Sequence, residues 1–209
     1  MEKETSFKKC IREPIPEIAE AAKYLNDAIT YHFLDDHHKA AKLIKKSDMP
    51  AIREWTESIW GARSPYIKLR TIPDASPILA KPDRVKVRMP SKLEKQTLHD
   101  RDGFHCRFCE IPVIRKEIRQ VLKKLYPEVV QWGRKNMEQH AALQAMWLQY
   151  DHVLPHARGG NNDLSNVVIT CAPCNFGRMD KLMEEIGVTD PRTRKPVDTD
   201  WDGLERLIQ

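Results

Sequence analysis

The sequence predicts an α+β fold, in which a mostly helical chain carries a small two-stranded core clamped by a metal ion. Apolar residues recur at helical spacing in several segments on both sides of a proline-rich stretch. Two short runs, LQYDHVLP at 148–155 and the β-branched NVVIT at 166–170, are predicted to pair as strands across a polar loop. Four of the five cysteines form two Cys-x-x-Cys pairs that flank these runs.

Residues 1–63 are predicted to form a helical N-terminal region. Its first helix, at 16–33, has an apolar face whose members recur at steps of three and four. A shorter helix is predicted at 36–46. A third begins at Pro50, because the first helical turn tolerates proline, and Gly61 closes it.

Residues 64–95 are predicted to be a proline-rich basic linker or arm. Five of the residues at 64–90 are proline, which excludes a continuous helix. Residues 81–95 carry six Lys or Arg against two Asp or Glu. This basic end suits a phosphate backbone, with Lys86 and Arg88 as the candidate contacts, and a solvated linker accounts for the charge equally well.

Residues 96–187 are predicted to form the domain that contains both cysteine pairs, with a helical insertion at 112–146. Within the insertion, apolar residues at helical spacing indicate a helix at 114–125. A second helix is predicted from Pro127 to about Met146, although Gly133 weakens it.

Two features close the chain. A last helix is predicted from Cys174 to Glu185, with Gly187 as its stop. Residues 188–209 are predicted to be a C-terminal tail, and the chain from Leu182 onward is acidic, with four Lys or Arg against seven Asp or Glu.

The composition predicts a soluble globular protein, with 41% hydrophobic and 31% charged residues. No apolar run approaches the roughly 20 residues of a membrane span. The first ten residues, MEKETSFKKC, have no apolar stretch behind their charges, so we expect no secretory signal, no membrane and a cytoplasmic location. The net charge of +5 is compatible with an anionic partner such as nucleic acid.

The cysteine pairs predict a structural zinc ion. Cys106 and Cys109 form one pair, and Cys171 and Cys174 form the other. Two such turns complete a tetrahedral site of four thiolates, which select zinc and leave no position for a reacting water. The alternatives are unrelated buried thiols or a single redox pair. Cys10 has no partner at metal-ligand spacing.

The stretch DHVLPHARGGNNDLSNVVITCAPCNFGR resembles the HNH endonuclease family. The resemblance covers about residues 96–187 and rests on the order Asp-His, Gly-Gly, Asn, Cys-x-x-Cys and Asn. It implies a ββα-metal fold and hydrolysis of phosphodiester bonds in nucleic acid, most often DNA, with the help of one catalytic divalent ion.

The resemblance also implies a role for each matching residue. His152 corresponds to the general base, and Asp151 to a ligand of the catalytic ion. Asn166 corresponds to the residue that holds the loop between the strands. Asn175 stands where the family name has its last histidine, which makes this an H-N-N variant. Oxygen ligands favour Mg²⁺ or Mn²⁺, with Ni²⁺ as a further candidate.

Several side chains near these positions have two interpretations. Asn175 either binds the ion or caps the helix. His156 and Arg158 either contact phosphate or belong to a solvated loop. Arg178 either binds the scissile phosphate or forms a surface salt bridge. His140 is interpreted as structural.

Two other functions account for part of the pattern. A zinc-clamped nucleic-acid-binding module without catalysis explains the cysteines and the basic charge, but gives Asp151, His152 and Asn175 no role. A nuclease effector subunit of a larger bacterial defence or mobile-element assembly would use the helical regions at 1–61 and 114–146 as docking surfaces for a protein partner.

Overall fold

The computed structural model describes residues 7–60 and 64–209, and three helices open the chain. Their bounds are α1 at Pro16–Phe33, α2 at His37–Ser47 and α3 at Pro50–Ile59. These bounds confirm the three predicted helices, and the predicted stop at Gly61 lies outside the described residues. Proline stands in the first turn of α1 and α3, where it costs no hydrogen bond.

The three helices belong to the same hydrophobic core as the rest of the protein. α1 packs along α2, and α3 packs against two later helices, at Ala141–Ala145 and Ala172–Arg178. Trp55 of α3 is buried, and its indole N–H donates to the carbonyl of Glu13 at 2.8 Å. A buried aromatic side chain with its polar atom satisfied packs without the cost of an unpaired donor. The N-terminal helices therefore pack directly against two of the later helices of the protein.

The proline-rich segment is irregular apart from one short 3-10 turn at Lys81–Asp83. Helix α4, at Lys92–Asp102, follows it. A capping box starts α4: the Ser91 hydroxyl accepts from the Glu94 backbone, and the Glu94 carboxylate accepts from the Ser91 backbone. Gly103 ends it with a φ of 66°.

Helix α5 spans Lys116–Leu125, as the periodicity predicts, but the long helix predicted from Pro127 to Met146 is wrong. The only regular elements there are a 3-10 turn at Asn136–Glu138 and the short helix α6 at Ala141–Ala145. Gly133 donates its backbone N–H to the Glu138 carbonyl at 3.0 Å, which folds the chain back on itself. That pairing replaces the hydrogen bonds a helix would need.

The two predicted strands are present and antiparallel. β1 spans Leu148–His152 and β2 spans Val167–Cys171, so that Asp151 lies opposite Val168 and His152 opposite Val167. Helix α7, at Ala172–Arg178, begins directly where β2 ends. Two strands and one helix therefore meet around the Asp151–His152 pair.

The helix predicted at 174–185 is divided in two. α7 ends at Arg178, Met179 adopts a φ of 57°, and α8 spans Met183–Ile186. Arginine side chains donate to backbone carbonyls between α7 and α8: Arg158 donates to the Asp180 carbonyl at 2.7 Å and Arg178 to the Lys181 carbonyl at 3.0 Å. These bonds stabilise a turn that apolar spacing alone does not reveal. Gly187 ends α8 in the left-handed conformation, as predicted.

The last 22 residues, 188–209, pack back onto the protein. Thr189 donates its backbone N–H to Lys8 at 2.8 Å, Leu204 is buried, and Glu205 pairs with Arg115. Within the described ranges, no helix is both long and apolar enough to cross a membrane.

Candidate active site

Four cysteine sulfurs lie at one buried point. The Sγ atoms of Cys106, Cys109, Cys171 and Cys174 are all within 4.8 Å of one another, and Cys109 Sγ lies 3.6 Å from Cys171 Sγ. A zinc–sulfur bond of about 2.3 Å places the sulfurs of a tetrahedral site about 3.8 Å apart. The four thiols are not joined as disulfides. The cluster therefore has the donor atoms and the size for a tetrahedral zinc ion.

The metal-binding cluster joins the turn of the first cysteine pair to the junction of β2 and α7. Cys106 and Cys109 lie in a tight turn, in which the Cys106 N–H donates to Ile111 at 2.9 Å and its carbonyl accepts from Glu110 at 2.8 Å. Cys171 and Cys174 lie at the junction of β2 and α7. Burial raises the pKa of the Cys171 thiol, and a bound cation would favour its thiolate form.

Asp151 is paired with Arg178. Asp151 is 5% exposed and Arg178 1% exposed. Arg178 donates its Nε to Asp151 Oδ2 at 2.9 Å and its Nη2 to Asp151 Oδ1 at 2.6 Å. Its other N–H groups reach the carbonyls of His152, Val153 and Lys181. All five donors are engaged. Arg178 therefore lies inside the domain, where it joins α7 to β1. One of its two interpretations expected it to face a phosphate, and its donors are used within the protein instead.

His152 is held through Asn162, a residue that the sequence did not single out. Asn162 Nδ2 donates to the Val87 carbonyl at 2.9 Å, which turns its Oδ1 toward His152 Nε2 at 2.8 Å. Nε2 must therefore carry the proton, and Nδ1 is the ring nitrogen with a free lone pair. Burial lowers the pKa of His152, which favours the neutral ring. A loop asparagine gives no sequence signal for such a role.

Asn166 and the two glycines shape the loop after His152. Asn166 Oδ1 accepts from the Leu154 N–H at 2.8 Å, and its Nδ2 donates to Asn161 at 2.9 Å. Gly159 has a φ of 90°, and a Cβ on Gly160 would clash with the Leu154 carbonyl oxygen. The Gly-Gly pair is thus required by one left-handed residue and one close backbone approach.

Asn175 lies in the fourth position of α7 and is half-buried. Cys171 is the N-cap residue of that helix, so the interpretation of Asn175 as a helix cap is wrong. No hydrogen bond of its side chain is found among residues 7–60 and 64–209. Its amide is therefore available for a ligand.

The candidate phosphate contacts differ in their surroundings. His156 donates its Nε2 to the Val85 carbonyl at 2.7 Å. Arg158 binds both carboxylate oxygens of Glu185, at 2.8 and 2.9 Å, and is mostly buried. Lys86 and Arg88 are exposed. The structure therefore leaves only Lys86 and Arg88 of these four exposed on the surface.

The segment that carries this geometry matches a known family. The family whose description is HNH endonuclease matches residues 143–188, which include both strands, α7, α8 and the second cysteine pair. No curated protein and no solved structure matches the chain. The first cysteine pair lies outside the matched residues and joins the second at the metal-binding cluster. Residues 143–188 therefore match the HNH endonuclease family, and the four cysteines are positioned to bind a metal ion, which fits the zinc-binding type of that family.

Proposed function

We propose that this protein is a metal-dependent HNH endonuclease that hydrolyses phosphodiester bonds in DNA, in the cytoplasm, with His152 as general base. The observation that carries the proposal is the contact of His152 with Asn162, within a domain of the HNH type. It leaves Nδ1 unprotonated on a ring whose pKa is lowered by burial. Such a ring accepts a proton from water at neutral pH.

Asp151 and Asn175 are the residues proposed to hold the catalytic divalent ion. Each Asp151 oxygen keeps a second lone pair beside its bond from Arg178, and the Asn175 amide has no competing hydrogen bond in the described chain. Two oxygen donors with open positions suit Mg²⁺ or Mn²⁺, with Ni²⁺ as a further candidate. When bound, such an ion supplies charge stabilisation for the phosphate and the leaving oxygen.

The remaining roles belong to this chain's own residues. His152 Nδ1 takes the proton of the attacking water. Asn166 holds the loop after His152 by accepting from the Leu154 N–H. Lys86 and Arg88 are proposed to contact the DNA backbone from the exposed arm. Zinc at the four cysteines keeps the strands and the cysteine turn in register and takes no part in the chemistry.

One observation favours a second candidate, a zinc-clamped nucleic-acid-binding module without catalysis. Both Asp151 oxygens are engaged by Arg178, which gives Asp151 a structural role without any ion.

Action as an effector subunit with a protein partner remains a proposal for the helical regions, where Phe33 and Leu34 expose apolar side chains.

The deciding experiment incubates purified protein with plasmid DNA, single-stranded DNA and RNA in Mg²⁺, Mn²⁺ or Ni²⁺. We expect cleavage by the wild type, and none by His152→Ala with unchanged zinc content. His38→Ala, which removes an exposed histidine of α2, is the matched control and keeps full activity. Binding of DNA without cleavage in any metal would favour the non-catalytic module instead.

A further inference from the structure

A cavity next to the turn of the first cysteine pair has a strongly cationic lining. Its volume is about 560 Å³, and its charged lining residues are Arg101, Asp102, Arg107, Arg192, Arg194 and Lys195. Five of these six side chains are cationic. The volume falls in the range of small-molecule sites. None of the residues proposed for catalysis lines it.

Two of these arginines hold each other in place. Arg107 donates its Nη2 to the carbonyls of Arg194 and Pro191, the latter at 2.7 Å. In return, Arg194 donates its Nη2 to the carbonyls of Arg107 and Phe108, at 2.7 and 3.1 Å. Each guanidinium is thus fixed by the backbone next to the other, so two like charges are kept close together.

The Nε and Nη1 atoms of both side chains are buried without a hydrogen-bond partner among the described residues. Arg107 is only 8% exposed, and the nearest carboxylate oxygen, of Asp102, lies 3.8 Å from its Nε. That separation is too long for a hydrogen bond. Unpaired donors on a buried charge are costly, so a ligand that accepts from them is favoured.

The acidic residues around the cavity are already engaged by other arginines. Arg101 binds both oxygens of Asp102, at 2.8 and 2.7 Å. Arg192 binds both oxygens of Asp190. Arg107, Arg194 and Lys195 are left as the surplus positive charge of the cavity.

We propose that this cavity is an oxyanion site, in which Arg107 and Arg194 bind a phosphate group with their Nε and Nη1 atoms. In each guanidinium, Nη2 shares an edge with Nε and already donates to two carbonyls, so Nε and Nη1 offer separate N–H donors. Donors from the two arginines together match different oxygens of one phosphate. The phosphate belongs either to a nucleic-acid backbone or to a free phosphate or nucleotide. In either case the site is separate from the nuclease residues and does not depend on cleavage.

Titration calorimetry with inorganic phosphate tests the site on the full chain without added Mg²⁺. We expect saturable binding of one phosphate to the wild type and about tenfold weaker binding to Arg194→Gln, because a charge-assisted hydrogen bond is lost. Arg194→Lys keeps the charge but not the planar guanidinium with its fixed donors, and we expect an intermediate loss. Arg134→Gln removes an exposed arginine outside the cavity and binds as the wild type.

A DNA oligonucleotide separates the two sources of phosphate. If the site takes a backbone phosphate, Arg194→Gln lowers the slope of log K against log salt by about one. If it takes a free phosphate or nucleotide, that slope stays unchanged while phosphate binding falls. Two results would overturn the proposal. One is no saturable phosphate binding by the wild type. The other is phosphate binding by the folded Arg194→Gln and Arg194→Lys variants that equals that of the wild type.

Discussion

Arg178 binds Asp151 through two contacts, Nε to Oδ2 at 2.9 Å and Nη2 to Oδ1 at 2.6 Å, and both side chains are buried. The pair joins the end of α7 to β1, immediately before His152. Because the same guanidinium also holds the His152 and Val153 carbonyls, it fixes the backbone on both sides of the proposed base.

Replacement of Arg178 by methionine is expected to lower the free energy of unfolding by about 3–5 kcal/mol, since it leaves a buried carboxylate unpaired. Urea unfolding, followed by circular dichroism, measures the change. The control is Lys9→Met, which breaks a half-exposed pair with Glu110 and is expected to cost about 1 kcal/mol or less. A similar small loss for Arg178→Met would show that the pair does not hold the domain.

This pair also shows where sequence reasoning stops. Asp151, His152 and the cysteines are recognisable because their types and spacing define a chemistry. The pairing of Asp151 with Arg178 is not, because the two residues lie 27 positions apart in sequence and no spacing pattern joins them. The apolar spacing also predicts a continuous helix past Arg178, where α7 ends and Met179 adopts a positive φ.

Asn162→Leu is expected to reduce cleavage by about 10-fold to 100-fold while leaving zinc content unchanged, because the His152 ring loses the acceptor that fixes its tautomer. Nitrogen NMR of the imidazole gives an independent measurement: Nε2 carries the proton in the wild type, and the variant shows a mixture. Gln131→Ala, which removes an exposed amide outside this loop, is the control and should behave as the wild type. The same tautomer in both proteins would remove Asn162 from this role.

Cys171→Ser is expected to remove most of the bound zinc and to loosen the two-stranded core, because metal binding supplies folding free energy to so small a sheet. Elemental analysis and thermal unfolding measure the two effects. Cys10→Ser, at the buried cysteine outside the cluster, should keep the zinc. Active protein without zinc would contradict the assignment.

The protonation of His140 is expected to contribute to the pH dependence of the free energy of unfolding. Its Nε2 donates to the Ile44 carbonyl at 3.0 Å, and burial lowers its pKa from 6.5, so the folded protein holds it neutral. The unfolded chain takes up the proton near pH 6.5. Stability from this residue is therefore present above that pH and is lost as the pH falls below it, by up to about 1.4 kcal/mol per pH unit.

Urea unfolding between pH 5 and 8, compared with His140→Gln, isolates this contribution from those of the other histidines. We expect a flatter dependence in the variant, and His38→Ala, at an exposed site, should follow the wild type. Parallel curves for wild type and His140→Gln would show that His140 does not contribute.

The segments that the sequence predicted well are those whose own residues form a continuous apolar face or a β-branched run. α1, α5 and β2 are of this kind, and their bounds agree with the pattern. The long helix predicted after Pro127 failed because Gly133 and Glu138 pair locally, an interaction that periodicity does not encode. The contact of Asn162 with the arm was not predictable either, since it joins positions 75 residues apart in sequence.

Asn175 is the departure from the family pattern, and its role determines the preference for the catalytic ion. An amide oxygen is a neutral, weak ligand, whereas an imidazole nitrogen binds later first-row ions more tightly. If Asn175 ligates the ion, Asn175→Ala loses activity that excess metal partly restores. Asn175→His keeps activity and shifts the preference from Mg²⁺ or Mn²⁺ toward Ni²⁺ or Co²⁺.

Metal titrations of cleavage, together with calorimetric titration of Mn²⁺ in the absence of DNA, decide the role of Asn175. Helix capping does not complicate the result, because Cys171 holds the N-cap position. The variant Gln131→Ala controls for the loss of an exposed amide outside the site. Full turnover with unchanged Mn²⁺ affinity in both Asn175 variants would exclude the residue from the site and leave Asp151 as the proposed protein ligand, a carboxylate already held on both oxygens by Arg178.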